Sequence, residues 1–299
     1  MKYKYSTEVK DNDALRKSFN ELTRQTFGFD FSDWYSSGHW GDMYIPHALL
    51  DGDKVISNVS VNLMQFDVRG VKKNYIQLGT VMTDSAYRGQ GLNRDIMEHI
   101  LSEYADKADG IYLFANDSVC SYYPKFGFKP SKEYEYYMPC ENIRWESPYA
   151  IEKVDMSDNE QCERLYDTIR RYSEDLKQLN QNDAVYMSDN LGLFQFWLDT
   201  AFAEHIYYLP EVGAYVAAEL NGGVLYIHQI FGKAWVEIAR LAGSFGETVS
   251  KAVLGYSPVH KYGLLVRERE EEDCTLFILG EDLKFIERDK LMFPIMSHA

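Results

Sequence analysis

The sequence is short of cysteine, proline and basic charge. Four cysteines (Cys120, Cys140, Cys162, Cys274) stand far apart in 299 residues and form no Cys-x-x-Cys pair. That spacing excludes a disulfide scaffold and a cysteine zinc site, and it points to reduced thiols in a cytoplasm. The seven histidines include no His-Glu-x-x-His, so no metal is expected. Lysine and arginine total 31 against 46 acidic residues, a net charge of -15. Nucleic acid, whose phosphates need a basic face, is therefore not an expected partner. Such acidity keeps a protein soluble and would also favour a cationic partner. No apolar run approaches membrane-spanning length, and Met1-Lys2-Tyr3-Lys4 leads into polar residues, so neither a membrane span nor a signal peptide is expected.

What the chain does have is concentrated in residues 75 to 104. An apolar, β-branched run from Tyr75 to Thr83 reads as a strand, and a turn holding Gly89 and Gly91 follows it. Leu92, Ile96, Met97, Ile100, Leu101 and Tyr104 then share one helical face. A strand, a glycine turn and a helix start make an anion site. Unpaired N–H groups of the first turn and the helix dipole favour negative charge there. Glycine lets the main chain approach a phosphate that a Cβ would obstruct, and Arg88 and Arg94 add positive charge. The spacing excludes a Walker loop, because no Lys-Ser or Lys-Thr closes the turn. It also excludes a dinucleotide fingerprint, because Arg94 stands at the sixth position.

Arg88-Gly89-Gln90-Gly91-Leu92-Asn93 resembles the Arg/Gln-x-x-Gly-x-Gly/Ala loop of the GNAT superfamily of acyl-CoA N-acyltransferases. Asn93 stands where the family prefers Gly or Ala, and Ser85 where a Pro is common. A second match lies downstream. Ile111 to Ala115 reads as a buried strand, followed by Asn116 and by Tyr122-Tyr123-Pro124-Lys125-Phe126-Gly127-Phe128. This is similar to the family's Asn after strand five, its short helix ending in Tyr, and its Gly-Phe.

The resemblance implies that residues 88–93 bind the pyrophosphate of coenzyme A and that backbone groups of Val81 and Thr83, with Met82 between them, pair with the pantetheine and thioester as a pseudo-strand. It also implies that Asn116 binds the pantetheine arm and that acetyl-CoA is the co-substrate. Tyr123 falls at the family's Tyr, where a phenol can protonate the leaving thiolate. Asp84 is the candidate base and His39 the second. Trp34 and His39, in Trp34-Tyr35-Ser36-Ser37-Gly38-His39-Trp40, are candidates for the acceptor pocket, by stacking on an amine, or else loop anchors packing on the core. A covalent route through Cys120 is not expected, since nothing near it in sequence would lower its pKa.

The length allows two domains. The first, residues 1–145, is expected to hold a helix (Asp13 to Thr26), a meander from Leu50 to Val81, the cradle helix, the Ile111 strand and a closing strand at Tyr134–Met138, with a linker over Cys140 to Pro148. Residues 146–299 repeat that order faintly. Helices are expected at Asp158–Leu179, Asp189–Phe202 and Ala234–Ala242. Strands Ala214–Leu220 and Val224–Ile230 flank the hairpin signal Asn221-Gly222-Gly223. Further strands are expected at Lys251–Tyr256 and Thr275–Leu279, with Arg267 to Asp273 a solvated loop between them. The apolar tail from Met292 should dock on the core.

The fold class is thus α/β with mixed sheets, a GNAT fold followed by a degenerate GNAT-like lobe without a phosphate loop. The arrangement resembles tandem GNAT proteins of the Eis type. The expected activity is direct transfer of an acetyl group from acetyl-CoA to a primary amine, either a small molecule or a lysine-containing peptide. The alternative is a non-catalytic acyl-CoA-binding regulator, and an oligomer is possible.

Overall fold

A computed structural model describes residues 2–140, 147–174, 182–246 and 248–298. Near the N-terminus β1 (Lys4–Ser6) leads into α1 (Asp13–Phe27) and the short α2 (Ser32–Ser36). Asn12 starts α1 by accepting from the N–H groups of Ala14 and Leu15, and Gly28, at φ 83°, closes it. Leu15, Phe19 and Leu22 bury its apolar face. The meander follows as β2 (Tyr44–Asp51), β3 (Lys54–Val68) and β4 (Val71–Thr83), each antiparallel to the next. α3 (Leu92–Tyr104) then crosses over to β5 (Gly110–Ala115), which is parallel to β4. Two short strands come next, β6 (Lys129–Ser131) and β7 (Tyr134–Pro139).

The second half contains β8 (Glu152–Lys153), α4 (Asn159–Glu174), β9 (Val185–Met187), α5 (Leu191–Asp199) and β10 (Ile206–Leu209). A hairpin of β11 (Ala214–Asn221) and β12 (Val224–Phe231) turns on Gly222 and Gly223, both at positive φ, as its sequence predicts. α6 (Ile238–Ser244) crosses over to β13 (Lys251–Leu254), parallel to β12. β14 (Leu265–Glu268), β15 (Thr275–Leu279) and α7 (Phe285–Arg288) complete the chain. The second half therefore repeats the hairpin and parallel crossover of the first.

The two sheets exchange strands. The first runs β1-β2-β3-β4-β5-β15-β6, with β9 on β3; the second runs β14-β7-β13-β12-β11-β10-β8. Tyr134–Met138, expected to complete the first lobe, instead pairs with Lys251–Leu254 in the second sheet. Thr275–Leu279 lies between β5 and β6 in the first. β15 closes the edge of β5 with Leu276, Phe277 and Ile278 buried on both its faces, while β7, between β14 and β13, buries only Tyr136 and Met138 along its length. The expected boundary near residue 145, most of its linker and the end of the Asp158–Leu179 helix lie outside the described residues. One core joins the sheets, with Phe66, Tyr75 and Tyr112 packing against Leu165, Phe194 and Phe231. The tail docks as expected: Met292, Phe293 and Met296 are fully buried, and Phe293 stacks on Tyr112 at 4.0 Å.

Candidate active site

β4 and β5 stay paired from Tyr75↔Gly110 to Leu78↔Leu113 and then separate. The cause is a bulge. Asn58 pairs with Met82 and Ser60 with Gly79, so Thr80 and Val81 together face Val59. Thr80 sits at φ 48°, a left-handed conformation rare for a β-branched residue. The separation opens a cleft of about 870 Å3 lined by Leu78 to Thr83, Arg88, Asn93, Phe114, Asn116, Tyr122 and Tyr123. Seven of the residues singled out in the sequence thus meet in one place: Val81, Met82, Thr83, Arg88, Asn93, Asn116 and Tyr123.

The cradle forms at one end of this cleft. A 3-10 turn (Ser85–Tyr87) leads through Arg88 to Gly89 (φ 76°) and Gly91 (φ 80°), and Gly91 caps α3. These angles favour glycine, and space is open at both Cβ positions. The N–H groups of Leu92, Asn93 and Arg94 lack helical acceptors and carry the positive end of the dipole. This geometry fits a phosphate. Gln90 turns away to accept from Tyr3 at 3.4 Å. Arg88 Nε donates to the Thr83 carbonyl at 3.2 Å, which ties the loop to β4. Asn93, unusual for the family, accepts from Ser57 Oγ at 2.6 Å, so its side chain is drawn toward β3.

Tyr123 is 3% exposed, at the start of a 3-10 turn (Tyr123–Phe126), and its ring packs against Tyr122, Phe128 and Phe277. Burial, with smaller contributions from Tyr122 and Cys120, pushes its pKa up to about 12. The phenol therefore keeps its proton at neutral pH. The Asn116 amide is oriented by Asp273: its Nδ2 donates to Asp273 Oδ2 at 2.8 Å, and the Asp117 N–H donates to Oδ1 at 2.6 Å. The Arg267 to Asp273 segment, expected to be a solvated loop, thus starts in β14 and ends clamped to the cleft. Before reaching it, the segment borders a cavity of about 650 Å3 lined by Glu133, Glu268, Glu270, Glu271, Glu272 and Glu287, with Lys132 and Arg269.

Other singled-out residues lie elsewhere. Asp84 caps the Ser85–Tyr87 turn and pairs with Lys54 at 2.6 Å. The hydrogen bond from Lys54 outweighs burial and holds its carboxyl below the usual range, which makes it a weak base. Trp34 is buried against Phe31, Trp40 and Tyr44, and its indole N–H donates to the Gly192 carbonyl at 2.8 Å. It anchors α5 and does not line the cleft. His39 Nδ1 lies 2.8 Å from Asp199 Oδ2, and the Tyr166 hydroxyl donates to the same carboxylate; this cluster also sits outside the cleft lining. Besides Phe114, Tyr122 and Tyr123, the aromatics that line it are Phe27 and Phe29, both more than 40% exposed. Gly28 between them, closing α1, was their only signal in the sequence. Among the described residues no group of three or more His, Cys, Asp or Glu gathers to hold a metal, and no helix is long and apolar enough to cross a membrane.

Known proteins extend this geometry to a class. Residues 9–131 match the family model described as the acetyltransferase (GNAT) domain. Residues 9–131 are thus a GNAT-type domain, and through it the chain is an acyltransferase. No curated protein matches the sequence. Solved structures of similar fold cover both lobes. One is a conserved protein of unknown function from Enterococcus faecalis V583, described as a probable N-acyltransferase, with 17% identity, TM-score 0.57, and coverage of 95% of this chain and 73% of that one. A GCN5-related N-acetyltransferase from Kribbella flavida has 13% identity and TM-score 0.58, covering 94% and 72%. Eis1 from Mycobacterium abscessus has 11% identity and TM-score 0.57, covering 92% and 72%.

Proposed function

We propose that the protein transfers the acetyl group of acetyl-CoA directly to a primary amine. The observation that carries this reading is Tyr123, a phenol in the same cleft as the β4 bulge and the glycine cradle. The amine nitrogen bonds to the thioester carbonyl carbon, the C–S bond breaks, and Tyr123 gives its proton to the departing thiolate. The backbone groups of Val81, Met82 and Thr83 pair with the pantetheine, and a bulge N–H faces the developing oxyanion. Residues 88–93 take the pyrophosphate. With Nδ2 held by Asp273, Asn116 Oδ1 is left to accept from a pantetheine amide. The proton lost by the amine nitrogen passes through water to solvent or to Asp84, which takes it only by loosening its pair with Lys54; His39 lies outside the cleft lining.

The lobe that binds acyl-CoA comprises residues 1–131 together with Thr275–Leu279, which supplies its missing strand. The acceptor is cationic, a small amine or a lysine side chain, in keeping with the net charge of -15 and the glutamate-lined cavity beside the Asp273 loop. Four unpaired cysteines suit a cytoplasmic location. The test is thiol release from acetyl-CoA with a panel of primary amines. Saturable, amine-dependent release is expected. CoA binding without release on any amine would replace this reading with an acyl-CoA-binding regulator.

A further inference from the structure

We propose that Tyr44 and Ser60 are positioning residues for acyl transfer, acting by locking Thr80 in its left-handed conformation. The inference rests on the reading of the cleft as the acyl-CoA site. Four polar side chains run in one chain of hydrogen bonds between β2, β3 and β4. Asn58 Nδ2 donates to Ser60 Oγ at 2.9 Å, Ser60 Oγ donates to the Tyr44 hydroxyl at 2.9 Å, and that hydroxyl meets Thr80 Oγ1 at 2.6 Å. Asn58 Nδ2 also donates to the Thr80 carbonyl at 3.0 Å. Asn58 and Ser60 are fully buried and Tyr44 is 4% exposed, whereas Thr80 lines the cleft.

Burying such groups is unfavourable unless they find partners; Asn58 Oδ1 has none, but the Asn58 Nδ2 and the two hydroxyls find theirs along a path that ends on Thr80. A β-branched side chain at φ 48° is strained and persists only where its surroundings hold it. Both the side chain and the carbonyl of Thr80 are held. Relaxing Thr80 to an extended conformation would rotate the next peptide units, turning the backbone groups of Val81 and Met82 away from the cleft. The Asn58–Ser60–Tyr44 chain therefore sets the direction of the main-chain groups that face the thioester, without touching substrate.

Two readouts separate this from simple packing. In the full chain, isotope-labelled at threonine, the Thr80 carbon shifts should be left-handed in the wild type and move toward extended values in Tyr44→Phe and in Ser60→Ala. With the amine found by the screen, each variant should lose about tenfold or more in kcat with KM for acetyl-CoA within threefold, the pattern of an interaction realised in the transition state. In a Thr80→Gly background, where positive φ needs no restraint, adding Tyr44→Phe should cost less than threefold. Unchanged Thr80 shifts in both variants, or the same loss of kcat in the Thr80→Gly background, would overturn the proposal. Absence of turnover in the wild type would overturn the acyl-transfer reading instead, and the shifts would still report on the lock.

Discussion

Replacing Tyr123 with phenylalanine deletes one oxygen and nothing else of consequence. The ring keeps its contacts with Tyr122, Phe128 and Phe277. The hydroxyl has no hydrogen-bond partner among the described residues, so no group is orphaned and stability should change by less than about 1 kcal/mol. Catalysis should suffer far more. A positioned acid is worth about 10²–10⁴-fold, or about 3–5 kcal/mol of barrier, so kcat should fall by that factor while CoA affinity by calorimetry stays put. Tyr122→Phe is the control. Its hydroxyl is buried and unpartnered among the described residues, so removing it should leave kcat near wild type and raise the melting temperature by a few degrees. The pH profile adds a check. Because burial raises the Tyr123 pKa to about 12, the acid stays loaded, and it should impose no alkaline limb on kcat below about pH 11. Equal kcat in the two variants, or an alkaline limb near pH 8–9 that Tyr123→Phe abolishes, would refute the reasoning.

Asp273→Ala should raise KM for acetyl-CoA about three- to tenfold with little change in kcat, because Asn116 loses the partner that orients it; steady-state kinetics decide this. If Asp84 is the base, Lys54→Ala should move the acid limb of kcat/KM to higher pH, since the lysine is what holds that carboxyl down; an unmoved limb removes Asp84 from the mechanism. Glu133, buried against Arg269 and the Phe293 N–H, has its pKa raised to about 7, chiefly by burial. The folded state then holds a proton that the unfolded state releases near the usual carboxylate pKa. Stability is present below that value and is lost as pH rises toward 7, by about 2–3 kcal/mol. Melting curves of Glu133→Gln should lack this decline between pH 5 and 7.5.

What was legible in the sequence is what neighbouring residues decide among themselves. Gly89 and Gly91 need positive φ whatever surrounds them, so the cradle could be read directly. The same holds for the Gly222-Gly223 hairpin and for α1, which ends one residue from its expected limit. Tyr123 and Asn116 were legible through the resemblance, and the cleft brings both together. Pairing partners were not legible. Nothing in Tyr134–Met138 says which sheet it joins, because β residues specify a burial pattern and leave the neighbouring strand open. Asn116 and Asp273 are 157 residues apart. Among the aromatics that follow α1, composition cannot separate Trp34, which is spent on packing, from Phe29, which faces the cleft. Asp84 looked available because Lys54, its partner, comes from another strand.

The exchanged strand sets the order in which the protein can be made. A ribosome delivers roughly 5–20 residues per second, N-terminal segments first, and the cradle is complete long before Thr275 exists. Until β15 arrives, β5 has one free side, and Leu276, Phe277 and Ile278 are not there to cover it. The nascent chain must therefore wait with an exposed sheet edge, a recognised template for wrong pairing. The wait ends only when Leu279 has emerged. The Thr275–Leu279 strand then acts as a latch on assembly, so acyl-CoA should stabilise only chains that extend through it. A chain cut short between the end of α3 and Thr275 would carry every cradle residue and still lack the strand that covers β5.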